Sequence, residues 1–221
     1  WLRAHGAAVH LRKRVTALAR DEGRWRVDCA AAGDDSCKPE PPFDQVILAT
    51  PATDAARLTH VLAPAWSAVA AALAHEPIVT ITVTAPPRAW PAPMLALDAN
   101  DVDAPAQFAF KLGEQPAGAD RVTLVVSAAG RWLARGSDAV AAAAIGQYRR
   151  AFGIAERAPI DLSSVRADKR ATFRCTAGVL RPGMDIAPGL RAAGDWVAGP
   201  YPATLESAVR AGEAAARASV G

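Results

Sequence analysis

Little in this chain is available for metal, disulfide or membrane chemistry. The three cysteines, Cys29, Cys37 and Cys175, form no CxxC and are odd in number, so a disulfide framework is not expected. Free thiols in a reducing cytoplasm are expected instead. The four histidines (His5, His10, His60 and His75) show no ligand spacing, which leaves no metal site to propose. No apolar run approaches the ~18–20 residues of a membrane span. The longest, Ala63–Ala74, reads as an Ala-rich helix outside the bilayer. No secretory signal is evident. The formal net charge is only +3, and no basic run is interleaved with aromatics, so nucleic acid is not an expected partner. Aromatics are scarce at 6%, with six Trp against two Tyr and five Phe.

What the chain does have is an ordinary globular balance, 51% apolar and 21% charged over 221 residues, enough for one large domain or two small ones. Residues 7–11 read as a strand after Gly6. Two more strands follow at 13–20 and 24–30, where Val15, Ala17 and Ala19 alternate with polar neighbours and Asp21-Glu22-Gly23 supplies a hairpin turn. A loop covers 31–42. The run Val46-Ile47-Leu48-Ala49-Thr50-Pro51 has the pattern of a buried parallel strand, and a helix follows to about Leu62.

Beyond Pro64 the pattern changes. A helix is expected at 65–75, and then strands at 78–83, 94–97, 107–112, 121–127 and 162–168, with a helix at Ser137–Phe152. Residues 170–188 read as irregular. The end returns to the first pattern, with a buried strand Leu190–Val197, a turn at Gly199-Pro200-Tyr201-Pro202, and a helix capped by Thr204. The expected organisation is residues 1–62 and 173–221 in one subdomain, with residues 63–172 inserted as an α+β region. The fold class is thus mixed α/β and α+β.

The sharpest local signal is Ala193-Gly194-Asp195-Trp196 followed by Tyr201-Pro202-Ala203-Thr204-Leu205-Glu206-Ser207-Ala208 and Gly212. A strand here delivers Asp195 to the carboxyl edge of a parallel sheet, where open α/β folds bind ligands. A helix N-terminus follows, with the N–H groups of Leu205 and Glu206 suited to an anion or a polarised carbonyl. Ala208, Gly212 and Ala216 make a small-residue stripe for close packing.

This motif resembles the C-terminal FAD motif of the flavin amine oxidase and phytoene desaturase superfamily. The resemblance implies that Asp195 and Gly194 lie at the ribityl–pyrophosphate region and that Thr204 and Leu205 set the helix against the flavin N1/C2=O edge. It also implies that Val15 reads the adenine through its backbone and that Thr50 and Pro51 line the cofactor. Lys169-Arg170-Ala171-Thr172-Phe173, Arg181-Pro182-Gly183 and Pro77-Ile78-Val79-Thr80 are similar to the squalene-associated FAD-dependent desaturases, also called hydroxysqualene dehydroxylases. Ala211 stands where many relatives have Ser. An amine oxidase usually places a Lys before the Pro-rich turn. Here the only basic residue from Ile78 to Trp90 is Arg88, and the strand offers an apolar wall suited to a polyprenyl substrate.

The superfamily's GxGxxG phosphate cradle is absent from these 221 residues. Gly194, Gly199 and Gly212 are far apart, and Gly113 and Gly118 lack a third. The chain also begins at Trp1 without Met. The expectation is the C-terminal portion of a cytoplasmic flavoenzyme, a Rossmann-like subdomain lacking its N-terminal βαβ unit. Peripheral contact with the inner face of the membrane is left open. FAD belongs to the parent and is not retained by this portion, which is expected to be inactive alone and to self-associate as a homodimer. The catalytic residues stay unknown, with Asp98, Asp101, Asp103 and Arg174 as loop charges to inspect. Two alternatives stand beside this: a non-catalytic lipid- or partner-binding module, and a carotenoid desaturase or a protoporphyrinogen or amine oxidase.

Overall fold

In the computed structural model, which describes residues 1–31, 41–114 and 118–220, the expected hairpin forms. β1 (Lys13–Asp21) and β2 (Arg24–Ala31) pair antiparallel. Glu22 (φ 45°) and Gly23 (φ 83°) are both left-handed, the turn that matches strand twist. The strand expected at 7–11 does not form. Ala7–Leu11 is irregular and exposed, after a 3-10 turn at Arg3–His5. On the other side of β2, Phe43 exchanges both backbone hydrogen bonds with Trp25. Cys29 is half-buried, and Cys175 is an exposed free thiol. Cys37 and most of the expected 31–42 loop lie outside the described residues.

β3 (Val46–Leu48) runs parallel to β10 (Leu190–Ala192), and β9 (Asp185–Ala187) joins β10 from the other side, antiparallel. β9 is a correction to the irregular reading of 170–188. The strand expected from Leu190 to Val197 ends at Ala192, and of β3 only Leu48 is buried. The Pro188-Gly189 turn between β9 and β10 closes over Trp25, which is 1% exposed. The indole Nε1–H of Trp25 donates to the Pro188 carbonyl at 3.2 Å, as does Arg20 at 3.0 Å. Gly189 has φ 76°, and a Cβ there would fall 2.8 Å from the Asp44 carbonyl. Both the backbone and the space therefore demand glycine.

Three helices accompany these strands. α1 (Ala52–Thr59) buries Ala52, Ala55, Ala56 and Leu58, and α2 (Pro64–Ala71) starts on proline at the position where no N–H is needed. α5 (Leu205–Val220), at the end of the chain, buries Ser207 and Ala215 and leaves Ala216 exposed, so the packed stripe sits one residue off the expected Ala208-Gly212-Ala216. These elements belong to one compact unit, Trp1–Leu73 with Cys175–Gly221.

The second unit is Ala74–Arg174. Its five-stranded antiparallel sheet runs β5 (Met94–Ala96), β6 (Phe108–Glu114), β7 (Asp120–Val126), β4 (His75–Ala85), β8 (Asp161–Phe173). The alternation predicted the packed face: Val79, Ile81, Val83, Val122, Leu124 and Val126 are all 0% exposed. They meet α4 (Ser137–Phe152) and the short α3 (Gly130–Leu133). β8 is nearly twice the expected length. It is an edge strand whose side chains are mostly exposed, so no apolar alternation marks it.

Asp120 is 0% exposed in this core. The Arg88 N–H donates to its Oδ2 at 3.0 Å, and Lys111 Nζ lies 2.8 Å from Oδ1. The fully buried Tyr148 hydroxyl finds no partner among the described residues. Burial, with the Asp120 carboxylate adding to it against Arg88, pushes this hydroxyl from 10.0 up to about 12. The neutral form is the one the fold favours, so its contribution holds below pH 10 and is lost as pH rises through about 12. Tyr148→Phe should leave stability at pH 7 unchanged or raise it by up to about 1 kcal/mol, and should flatten the loss at high pH. Urea titrations from pH 7 to 12 test this, and a loss above about 2 kcal/mol would show the hydroxyl to be bonded. No helix among the described residues is long and apolar enough to cross a membrane.

Candidate functional site

The site grows from the carboxyl ends of β3 and β10, two parallel strands in register from Val46↔Leu190 to Leu48↔Ala192. Each ends in a tight connection. β3 passes through Thr50 and Pro51 into α1, whose first turn bonds to the Pro51 carbonyl through Asp54 and Ala55. β10 passes through Ala193, whose N–H donates to the Leu48 carbonyl at 3.0 Å, into Gly194 and Asp195.

Trp196 ties the two strand ends together. It is 5% exposed, its indole Nε1–H donates to the Thr50 carbonyl at 3.1 Å, and Trp66 meets its ring edge-on at 5.9 Å. The same ring explains Gly194. A Cβ on Gly194 would fall 2.5 Å from Trp196 Nε1, so glycine is required here by a neighbour within the chain. Nothing in the sequence marks that reason, and the family resemblance implies for Gly194 only a cofactor contact.

The loop from Asp195 to Thr204 folds back on itself. The Asp195 carbonyl accepts from the Ala203 N–H (3.3 Å) and the Ser207 hydroxyl (3.4 Å), which sets Asp195 beside the first turn of α5. Thr204 caps that helix: its hydroxyl oxygen accepts from the Ser207 N–H at 3.2 Å and donates to the Tyr201 carbonyl at 2.6 Å. Tyr201 (φ 56°) and Ala203 (φ 58°) are both left-handed, strained backbone in a residue that carries a Cβ.

Four unsatisfied groups result. The N–H groups of Leu205 and Glu206 have no acceptor among the described residues, and Leu205 is 88% exposed. The Asp195 carboxylate has no hydrogen bond or ion pair among the described residues. The Thr50 hydroxyl is buried without a partner. Together they present donors, an acceptor and a helix N-terminus, a set that can hold a ligand bearing both hydroxyls and a polarised carbonyl.

Thr50, Pro51, Gly194, Asp195, Thr204 and Leu205 are thus brought to one end of the β3–β10 pair. Val15 stands apart on β1, where its carbonyl accepts from Arg57 at 3.2 Å and the Thr16 carbonyl accepts at 3.0 Å. Arg57 lies six residues along α1 from Pro51, about 9 Å at the rise of a helix. The hairpin is therefore anchored to the helix that starts at the site.

An open groove of about 640 Å³ runs beside α5, with Met184, Val197, Glu206 and Arg210 in its wall. Its helix charges are spent on one another, in Glu206–Arg210 and Glu213–Arg217 pairs. Three of the four loop charges named as candidates are similarly engaged. Asp101 pairs with Arg131, Asp103 with Arg150, and Arg174 with Glu76, while Asp98 contributes a backbone carbonyl to Gln147.

In the second unit the sheet face opposite α4 carries two cross-strand rows. One reads Met94, Phe110, Thr123, Thr82, Ser164, and the other Ala96, Phe108, Val125, Thr80, Arg166. It grades from apolar at β5 and β6 to hydroxyl-bearing at β4 and β8. Met94 is half-exposed, and the Thr82 and Thr123 hydroxyls bond each other at 3.2 Å.

The family described as flavin containing amine oxidoreductase matches residues 2–219. Among solved structures, an oxidoreductase of Methanosarcina mazei superposes with a TM-score of 0.71 at 13% identity, covering 98% of this chain and 51% of that one. A protoporphyrinogen-oxidase-like protein of Exiguobacterium sp. 255-15 gives 0.61 at 14%, covering 93% and 47%. The cyclohexylamine oxidase of Brevibacterium oxydans IH-35A gives 0.61 at 16%, covering 92% and 47%. At these identities the likeness is one of fold, and the chain spans about half the length of each.

Proposed function

Because the chain belongs to the flavin containing amine oxidoreductase family, we propose that it supplies one side of an FAD site in an oxidoreductase acting on a C30 isoprenoid, by reduction of hydroxysqualene or by desaturation. The observation that carries the cofactor half of this reading is the set of unsatisfied groups at the β3–β10 end: the Asp195 carboxylate, the Thr50 hydroxyl and the two N–H groups opening α5. They fit the ribityl and isoalloxazine portion of FAD. Asp195 would accept from ribityl hydroxyls, and the α5 N-terminus would meet the electron-rich edge of the ring. Val15, with its carbonyl on Arg57, stands on the side assigned to adenine. Bound FAD would supply the hydride transfer. The first unit's part is to orient the cofactor, and the second unit offers an apolar face at Met94 and Phe110.

The isoprenoid half is supported by that face and by the absence of Lys and Arg from β4. Arg166, which ends one of the two rows without a partner among the described residues, supports a second reading. A substrate with an anionic group, such as a porphyrinogen carboxylate, would suit it. Turnover of hydroxysqualene against protoporphyrinogen by the protein as the cell makes it separates the two. Action in the cytoplasm and peripheral contact with the membrane's inner face follow from the isoprenoid reading.

Asp195→Ala tests the cofactor half. Losing a hydrogen bond to a charged acceptor should weaken FAD binding by roughly 1.5–3 kcal/mol. The fold should survive, because the Asp195 side chain holds nothing among the described residues. Unchanged flavin occupancy after dialysis would sink the assignment.

A further inference from the structure

Arg181 opens the family-like Arg181-Pro182-Gly183 segment. It is half-buried, and its guanidinium donates to the Val197 carbonyl at 2.9 Å and to the Gly199 carbonyl. The Ala198 N–H between them donates back to the Pro182 carbonyl at 2.9 Å. Three consecutive loop residues are thus bound by two consecutive residues of one segment. The segment is itself anchored, since Trp66 of α2 donates from Nε1 to the Gly183 carbonyl at 2.8 Å.

The braced residues are the stem of the Asp195–Thr204 loop. Beyond them come the left-handed Tyr201 and Ala203, a backbone that non-glycine residues hold only when their surroundings impose it. The other restraints seen there are the Ala203–Asp195 bond, the Thr204–Tyr201 bond and Arg210 stacked 5.1 Å over Tyr201. The first of these closes the two ends of the loop and the other two act at Tyr201, whereas Arg181, with Pro182, holds the Val197–Gly199 stem from outside the loop, beside the Trp196 indole bonded to Thr50. A planar guanidinium can serve two carbonyls two residues apart, and an ammonium on a flexible stem is a poor substitute.

We propose that Arg181 is a positioning residue for the flavin end of the cofactor, acting through the Val197–Gly199 backbone to hold Asp195 and the α5 N-terminus in binding geometry. This rests on the FAD reading above. It makes a demand that a merely structural arginine does not: the loss must fall on the ribityl–flavin end and spare the adenosine end, which lies on the Val15 side of the site.

The test uses the protein as the cell makes it, stripped of cofactor and titrated with FAD and, separately, with ADP, which carries adenosine and pyrophosphate but no ribityl or flavin. Arg181→Ala is expected to weaken FAD about tenfold, the equivalent of one charge-assisted hydrogen bond, and to change ADP less than about twofold. Arg181→Lys, which keeps charge and bulk, should fall between and supplies the answer should the Ala variant not fold. Equal weakening of FAD and ADP would overturn the proposal in favour of a structural role, as would unchanged affinity for both. Failure of the unsubstituted protein to bind FAD would instead remove the cofactor reading on which the proposal rests.

Discussion

Expressed alone, these 221 residues should leave a gel-filtration column free of flavin even after incubation with excess FAD. The pyrophosphate of FAD carries two negative charges, which the fold class normally meets with a glycine-rich turn and a helix N-terminus. No GxGxxG turn occurs between Trp1 and Gly221. What the site does offer is one helix N-terminus, one unpartnered hydroxyl and a carboxylate. The carboxylate near a phosphate is unfavourable without donors between them. The visible spectrum of the eluted protein decides the matter. A flavin band at one per chain would mean that the Asp195, Thr50 and α5 groups suffice.

Trp196→Ala should cost about 3–5 kcal/mol of stability, the range for deleting a large buried aromatic. The ring is 5% exposed, packs edge-on against Trp66 and lies over Gly194. Its Nε1–H also joins the ends of β3 and β10 through the Thr50 carbonyl. Trp196→Phe keeps most of the packing and loses the hydrogen bond, so about 1 kcal/mol beyond the lost volume is expected. Gly194→Ala should act on the same contact from the other side, pushing the indole off Thr50. Urea unfolding of the three variants measures all of this. An unchanged midpoint for Trp196→Ala would show that the strand ends hold without it.

Much of the fold was legible because it depends on neighbours in sequence. The β1–β2 turn needs left-handed residues at Glu22 and Gly23, and the chain has a glycine there. α4 has the bounds read from its pattern, and Thr204 caps α5 as its residue type foretold. The alternation in β4 put Val79, Ile81 and Val83 in the core. The errors are all non-local. Ala7–Leu11 has strand-like residues but no partner. β8 runs through charged residues and is a strand because β4 offers it a ladder from His75 to Thr84. β9 exists because β10 has an edge to fill.

The site divides in the same way. Sequence alone determined that a Gly-Asp strand end and a Thr-capped helix lie near each other, since Thr204 is only nine positions beyond Asp195. It also determined that no glycine-rich phosphate turn lies within these residues. The family followed from this motif, and the match over residues 2–219 agrees with it. Only the tertiary structure decided what holds the motif in shape. Trp196 reaches back to Thr50, 146 positions away, and Arg181 braces a loop 16 to 18 positions on. The reason is physical. A cap or a turn is written into adjacent residues, whereas which carbonyl an indole or a guanidinium will find depends on how distant strands pair, and a single sequence carries no local mark of that.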